Sequence, residues 1–358
     1  MRLSAHLVHE NAGELARCAE RVGFDLVICG EGYRSDAASV LGMVAGQTRT
    51  IGLASGVMQI PARSPGLAAL TAATLDSMSG GRFRLGLGVS NPDVSEGWYG
   101  VPFDKPLSRT REYVAIVRAA LSGQPVRFQG EHYRLPAGRR DAAPLHLATD
   151  SENTHIPVYL AALSSRNLRL AGEIADGWIG AFVSPESLVE AVADLRDGRQ
   201  RAGKEMTGFD VAPSVPTLFV DDVAAGVQRL RGHYAHFLAM GDPERNVYSA
   251  LAGRLGFGTA MTEFHRLASG GDLQKAAGAI PDELIDRVSL IGPVDRVAER
   301  MREFEAGGAT TLTIMLSPAR TDHDGRLELI RKAAEAFTLS GTRGGTTPTA
   351  VGPDPVRA

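Results

Sequence analysis

The sequence predicts an α/β protein in which eight strand–helix units close into a single (β/α)₈ TIM barrel. Short apolar segments of strand length alternate about eight times with amphipathic helical patterns, which is typical of parallel βαβ units. The strand segments are apolar along their whole length, so both faces of the sheet must be buried. Eight such units favour closure into a barrel over an open sheet, and 358 residues suit one barrel with insertions.

The first four units follow one another closely in the chain. The predicted strands are residues 3–8, 25–29, 50–58 and 83–89. The predicted helices are residues 12–22, 36–47, 65–78 and 109–121. The third helix is followed by Gly80 and Gly81, and glycine is the residue type that most often ends a helix.

The second half repeats the alternation with one long interruption. Its predicted strands are residues 157–163, 178–182, 210–219 and 310–316, and its helices are residues 166–175, 293–305, 326–337 and one that starts at Ser184-Pro185-Glu186. Residues 223–290 are too long for one crossover, so they are predicted to form a mostly helical insertion before the eighth strand. Residues 1–340 are therefore predicted as the barrel. Residues 341–358, rich in Gly, Thr and Pro, are predicted as a disordered tail.

The composition argues against several classes of partner. A net charge of −3 and a pI near 6.3 predict neither nucleic-acid nor membrane binding. Cys18 and Cys29 lie in apolar stretches and are interpreted as buried, reduced thiols of a cytoplasmic protein. No apolar run approaches the roughly 18 residues that a transmembrane helix needs, and the first residues do not resemble a secretion signal.

Functional residues of a barrel lie where its strands end, because the loops that follow the strands form the active site. The third strand contains Gly56 and Val57, where a small residue would let a flat ring approach the backbone. A bulge explains the glycine too, and on spacing alone it is the favoured interpretation. The fourth strand ends in Gly88, Val89 and Ser90, whose amides can receive an anion or a ring carbonyl.

The fifth strand runs directly into a predicted helix. Ala161, Ala162 and Leu163 end the strand, and Ser164 and Ser165 begin the helix. Serine at a helix N-terminus caps the free amides. The same amides, at the positive end of the helix dipole, can hold a phosphate. The sequence gives these two interpretations equal weight.

Glu31 ends the second strand, where barrel enzymes commonly carry a catalytic carboxylate, and it is the catalytic candidate. Tyr33, His9 and Asn91 are alternatives for moving a proton, because each is expected at the barrel mouth.

No metal site is predicted. His6 and His9 flank a strand end, and His233 and His236 lie on one helix face, but neither pair has the further ligand of a zinc motif. These histidines are therefore interpreted as structural or solvated. The motifs of serine hydrolases and of phosphate-binding loops do not occur.

Taken in order, the strand-end segments resemble the luciferase-like monooxygenase superfamily, in particular its coenzyme F-420-dependent oxidoreductase branch. The resemblance extends from about residue 3 to residue 337. The most distinctive segment is SEGWYGVPFDKPLSRTREY (95–113). The others are GEGYRSDA (30–37), TIGLASGVMQIPARSP (50–65), GGRFRLGLGVSN (80–91), PVYLAALSSRNLRLAGEIADGW (157–178) and IGPVDRVAERMREFEAGG (291–308).

The resemblance implies an enzyme that transfers a hydride between the deazaflavin coenzyme F-420 and a small organic substrate. The peptide between Gly56 and Val57 matches a non-prolyl cis peptide that relatives place against the cofactor ring. The segment after strand four lines the cofactor, and the amides after strand five hold its phosphate. The residues implied in cofactor binding are Gly56, Val57, Gly88, Val89, Ser90, Ala161, Ala162, Leu163, Ser164 and Ser165.

The chain departs from the family pattern in the loop after strand one, which is short, and at two places in the site. Relatives commonly have Gly-Pro where Ser164 and Ser165 stand, which keeps the amides but changes the turn. Gly32 replaces a histidine that some relatives use as a proton donor or acceptor, so no catalytic role transfers to that position. Glu31 aligns with an acidic or ring-contacting position and stays the catalytic candidate.

Two alternatives to F-420-dependent hydride transfer remain open. One is an FMN-dependent monooxygenase that uses reduced flavin and oxygen. The other is a flavin-binding protein without turnover, which the cofactor-site segments fit equally well. The resemblance also implies a homodimer, whereas the substrate is not predicted.

Overall fold

Eight parallel strands form a closed barrel in a computed structural model that describes residues 1–32, 34–138, 142–148 and 155–342. The strands are β1 (Arg2–Leu7), β2 (Leu26–Cys29), β3 (Gly52–Ser55), β4 (Phe83–Gly88), β5 (Val158–Ala161), β6 (Gly177–Ala181), β7 (Asp210–Phe219) and β8 (Thr311–Met315). Each strand pairs with the next, and β8 pairs with β1, which closes the ring. The predicted barrel is confirmed.

Eight of the described helices surround the barrel, seven of them between successive strands and the last after β8. They are α1 (Ala12–Arg21), α2 (Ala37–Gln47), α3 (Pro65–Ser79), α4 (Pro106–Leu121), α5 (Ser165–Ile174), α6 (Pro185–Arg201), α7 (Val294–Ala306) and α8 (His323–Ser340). Local sequence sets their ends. Asp36 accepts hydrogen bonds from the first amides of α2, and Gly80 ends α3 with a φ of +68°, the conformation that glycine adopts at no steric cost.

The alternation along each strand separates two buried regions. Leu3, Ala5 and Leu7 of β1 pack in the main apolar core between the barrel and its helices. Ile28 of β2 belongs to a small separate cluster inside the barrel, and it is in register with His6 of β1. Because paired residues share a face of the sheet, His6 and every second residue before it face the barrel interior.

A charged network closes the bottom of the barrel. Arg2 pairs with Asp210 at 2.7 Å, and Asp210 also accepts hydrogen bonds from the hydroxyls of Tyr159 at 2.7 Å and Thr311 at 2.8 Å. These bonds and the nearby charge of Arg2 outweigh the effect of burial, so the pKa of Asp210 is lowered. The opposite end, where the strands terminate, is the mouth.

The insertion between β7 and β8 is helical, as predicted. Its helices are Val223–Leu238, Val247–Ala252, Gly258–Ser269, Leu273–Gly278 and Asp282–Arg287. A short strand, Leu290–Gly292, then pairs with β7. Aromatic contacts join the insertion to the mouth, since the ring of Phe182 after β6 lies 5.2 Å from that of Tyr234 and 5.6 Å from that of Tyr248.

Several predicted boundaries differ from the structure by one to three residues, as at both ends of α8. The third strand ends at Ser55 and resumes at Met58–Gln59, with the Gly56–Val57 peptide between the two parts. Gly341 and Thr342, predicted as tail, are ordered: the Thr342 carbonyl accepts a hydrogen bond from the N-terminal amine at 2.7 Å. The rest of the predicted tail, residues 343–358, lies outside the described residues. None of the described helices has the length and apolar character needed to cross a bilayer.

Candidate functional site

The peptide between Gly56 and Val57 at the end of β3 is cis, as the resemblance implied. Hydrogen bonds hold both sides of Gly56. Its amide donates to the carbonyl of Cys29 at 2.8 Å, and its carbonyl oxygen lies 3.2 Å from Nε2 of His6. The peptide at the end of β3 is therefore held by residues of β1 and β2 at the rim of the mouth.

Close packing of neighbouring strands accounts for the glycines at these strand ends. A Cβ on Gly56 would lie 2.0 Å from Cγ2 of Ile28, and one on Gly88 would lie 2.5 Å from Cγ2 of Val57. On Gly86 it would lie 1.9 Å from the carbonyl oxygen of Ser55. Each distance is well inside van der Waals contact. Packing between neighbouring strands is therefore by itself enough to require glycine at these positions.

Apolar residues lie at the ends of β3, β4 and β5, at the mouth. Val57, Val89, Ala161 and Leu163 are partly exposed there. Val57 and Ala161 lie on either side of Gly88, because a Cβ on that glycine would come near both side chains. Apolar side chains of this kind suit the face of a flat aromatic ring.

The turn after β5 positions the start of α5. The indole Nε1 of Trp178 donates to the carbonyl of Ala162 at 2.8 Å, which anchors the turn. Ser164 is the N-cap of α5, and its hydroxyl accepts from the Asn167 amide at 3.4 Å. The capping interpretation is therefore confirmed. The first amides of a helix have no partner within the helix, so the positive end of α5 still points out of this turn.

A small, open cleft of about 80 Å³ lies beside this turn, between the barrel and the insertion. Leu163 and Ser165 line it on the barrel side, and Arg254 lines it from the insertion. Arg254 is exposed, so its guanidinium is available to an anion. Glu190 and Asp194 of α6 lie on the wall of the cleft as well, and Asp194 is paired with Arg169 at 2.9 Å.

The match of a family model decides the affiliation of this barrel. The model described as luciferase-like monooxygenase matches residues 3–311. The chain belongs to the luciferase-like monooxygenase family.

Curated relatives of this luciferase-like protein match most of its length. A Mycobacterium tuberculosis protein named as a coenzyme F-420-dependent oxidoreductase is 36% identical over 323 residues, which cover 88% of this chain and 93% of the relative. The 5,10-methylenetetrahydromethanopterin reductase of Archaeoglobus fulgidus is 30% identical over 327 residues, covering 88% and 92%.

Solved structures confirm the fold of the luciferase-like chain. It superimposes with a TM-score of 0.79 on the coenzyme F-420-dependent tetrahydromethanopterin reductase of Methanopyrus kandleri, at 23% identity, covering 94% of this chain and 97% of the other. An F-420-dependent secondary alcohol dehydrogenase in complex with an F-420–acetone adduct gives 0.75 at 17% identity, covering 94% and 98%.

Glu31 lies at the mouth of the barrel, and both of its carboxylate oxygens have partners. The side chain is 5% exposed, and Oε2 pairs with Arg63 at 2.7 Å. Oε1 accepts from the amide of Gln59 at 3.2 Å, and Arg63 also contacts Asp36. This arrangement ties the ends of β2 and β3 together. The catalytic role of Glu31 stays a prediction.

The other proposed proton carriers have different surroundings. His9 is 36% exposed and lies 3.5 Å from Glu10. The side chain of Asn91 caps the short helix Pro92–Gly97, accepting from the Val94 amide at 3.0 Å. Tyr33 lies outside the described residues. His9 is therefore a surface residue, and the side chain of Asn91 serves as a helix cap.

His6 is the mouth residue whose position sequence reasoning missed. It faces the barrel interior, and its Nε2 contacts the Gly56 carbonyl. Burial lowers the pKa of His6 and favours the neutral ring. The alternation of polar Ser4 and His6 with apolar Leu3, Ala5 and Leu7 was the available signal, because it places the two polar residues on the interior face.

The described residues contain no group of three or more His, Cys, Asp or Glu side chains arranged to hold a metal ion. His233 and His236 are neighbours on the helix Val223–Leu238. His233 packs against the rings of Tyr234 and Phe237, with centroids 5.2 and 4.9 Å away. Its surroundings are thus those of a histidine in an aromatic cluster.

Proposed function

We propose that this luciferase-like protein is an oxidoreductase that binds the deazaflavin coenzyme F-420 and transfers a hydride between it and a small organic substrate. The observation that carries the proposal is a cleft at the N-terminus of α5, lined by Leu163, Ser165 and the exposed Arg254, on the side of the barrel where the apolar strand ends of the mouth lie. That arrangement fits a molecule that joins a flat ring to an anionic arm. The F-420-dependent relatives support the choice of cofactor.

The sequence-predicted residues then fall into two groups. Gly56, Val57 and the segment 88–90 would contact the ring. The turn 161–165 and Arg254 would hold the phosphate arm, through amides and a guanidinium. When bound, the cofactor supplies hydride chemistry at its central ring carbon. The chain orients the ring and substrate and excludes water.

Titration with each cofactor tests the proposal. We expect F-420 to bind the purified chain with micromolar or tighter affinity, followed by the fluorescence of the deazaflavin, and FMN to bind much more weakly. Binding of FMN without binding of F-420 would overturn the proposal in favour of the monooxygenase alternative. A hydride-transfer assay on a panel of alcohols, imines and enones separates the enzyme from a flavin-binding protein without turnover.

We further propose that the protein is a homodimer formed through α2 and α3. Leu67, Leu70 and Met78 form an exposed apolar stripe along α3, with fractional exposures of 46%, 52% and 55%. Met43 of α2 is 41% exposed, and Met78 approaches α2 near Gly42. An exposed apolar stripe of this kind is typical of an interface. The cytoplasmic location expected from the cysteine content stays a prediction.

A further inference from the structure

Three hydroxyl groups are buried inside the barrel without a hydrogen-bond partner among the described residues. They belong to Ser4, Thr313 and Ser214, with fractional exposures of 0%, 0% and 5%. Ser4 is in register with Thr313, and Thr313 with Ser214. The hydroxyls therefore form one row across β1, β8 and β7, on the face that points into the barrel.

The side chains at the two ends of this row offer it no partner. On β2, the strand beyond Ser4, the residue in register is Leu26. On β6, the strand beyond Ser214, the residue in register is Ala181. The side chains of leucine and alanine can neither donate nor accept a hydrogen bond. Adjacent strands lie about 4.8 Å apart, and the three hydroxyls make no direct bond to one another in this structure. One water molecule making two bonds of about 2.8 Å spans such a gap.

His6 continues the row toward the mouth. It lies two residues beyond Ser4 on the same strand and the same face, and its Nδ1 is buried without a partner among the described residues. Its neighbours in register are Met315 and Ile28, whose side chains have no N–H or O–H group. Nε2 contacts the Gly56 carbonyl. A carbonyl only accepts, so Nε2 carries the proton and Nδ1 of the neutral ring is an acceptor.

We propose that the barrel interior below Gly56 is a binding site for ordered water, held by the hydroxyls of Ser4, Thr313 and Ser214 and by Nδ1 of His6. Buried polar groups are normally satisfied, and internal water serves those that lack a protein partner. Water donating to Nδ1 fixes the Nε2–H tautomer, whose proton is donated to the Gly56 carbonyl. His6 is thus a positioning residue for the mouth peptide, and this inference holds whichever cofactor binds.

A crystal structure of the full chain at a resolution that shows ordered water tests the site directly. The expected result is water within about 3.2 Å of at least two of the four polar atoms. A dry interior, in which the hydroxyls bond to one another or to main-chain carbonyls, would overturn the proposal. The experiment uses the protein without cofactor, so its result is independent of the F-420 titration.

Variants supply a second test in solution. If water binds, Thr313→Val lowers the melting temperature and Thr313→Ser restores it, because serine keeps the hydroxyl. Without water the buried hydroxyl is unsatisfied, and the isosteric valine raises the melting temperature, which contradicts the proposal. Ser4→Ala combined with Thr313→Val should change the melting temperature by less than the sum of the single changes, because both hydroxyls hold the same water.

The matched control lies on the outer face of β7. The hydroxyl of Thr217 is fully buried and donates to the Val215 carbonyl at 3.0 Å. Thr217→Val should be additive with Ser4→Ala, since the two positions share no water.

The tautomer of His6 can be measured directly, and a change that affects only the stability of the fold would not alter it. The ¹⁵N shifts of His6 should report a protonated Nε2 and an unprotonated, hydrogen-bonded Nδ1. In the double variant Ser4→Ala and Thr313→Val the Nδ1 shift should move toward that of a free lone pair. A wild-type ring protonated on Nδ1 would exclude the proposed water site.

Discussion

Glu31 binds Arg63 and the Gln59 amide in the fold, and it is also the catalytic candidate. The sequence alone does not separate a structural from a catalytic role. We expect Glu31→Gln to slow turnover by at least about 100-fold if the carboxylate moves a proton. Cofactor affinity should change much less, because the amide keeps the acceptor for the Gln59 amide. Steady-state kinetics and the dissociation constant of F-420 measure the two effects.

Asp36→Asn is the control for this substitution. Asp36 contacts the same arginine, Arg63, but is 44% exposed and caps α2. Equal losses of turnover in the two variants would show that only the ion-pair network matters. Glu31 would then have no part in the chemistry.

His233 makes the stability of the protein depend on pH. Burial, aided by the charges of His236 and Arg320, lowers the pKa of His233 to about 4. The unfolded chain has a histidine pKa near 6.5 and therefore binds the proton first. We therefore expect the contribution of His233 to stability to be fully present above about pH 6.5 and to be lost as the pH drops toward 4, by up to about 3 kcal/mol.

Urea unfolding at several pH values measures this loss. His233→Phe keeps the ring contact with Phe237 and removes the titrating group, so its stability should decline less between pH 6.5 and 4. An unchanged slope in this variant would mean that other groups cause the acid sensitivity.

At the scale of elements, the insertion contributes Arg254 to the cleft. None of the barrel residues that line the cleft is a lysine or an arginine. We expect Arg254→Glu to weaken F-420 binding by about 10- to 100-fold, the cost of losing a charge-assisted hydrogen bond and gaining repulsion. Binding of a deazaflavin without the phosphate arm should not change. Fluorescence titrations with both ligands measure the difference.

Another exposed arginine of the insertion provides the control. Arg245 is 85% exposed and does not line the cleft, so Arg245→Glu should leave both affinities unchanged. Equal weakening in both variants would indicate an effect of overall charge and would remove Arg254 from the site.

At the scale of the whole molecule, the stripe on α3 is the feature that a second copy would cover. We expect Leu70→Lys to convert the dimer into a monomer, because a buried interface does not tolerate an unpaired charge. Analytical ultracentrifugation measures the mass. Leu339→Lys, at a position on α8 that is 57% exposed, should leave the dimer intact. A wild-type monomer would refute the dimer proposal.

The sequence by itself determined the barrel and the region of the mouth that resembles a cofactor site. Strand and helix periods are local properties, and each of the eight units bears its own pattern. The segments at strands three, four and five lie at the carboxyl ends because parallel strands bring those ends together. The length and helical character of the insertion were readable for the same local reason.

Only the tertiary structure decided what the individual polar residues contact. Glu31 is separated from Arg63 by 32 residues and His6 from Gly56 by 50, so no local pattern joins them. The row of Ser4, Thr313 and Ser214 exists only once the barrel closes, because closure places β8 between β7 and β1. Side-chain partners across a ring depend on register, and register is set by the packing of the whole barrel.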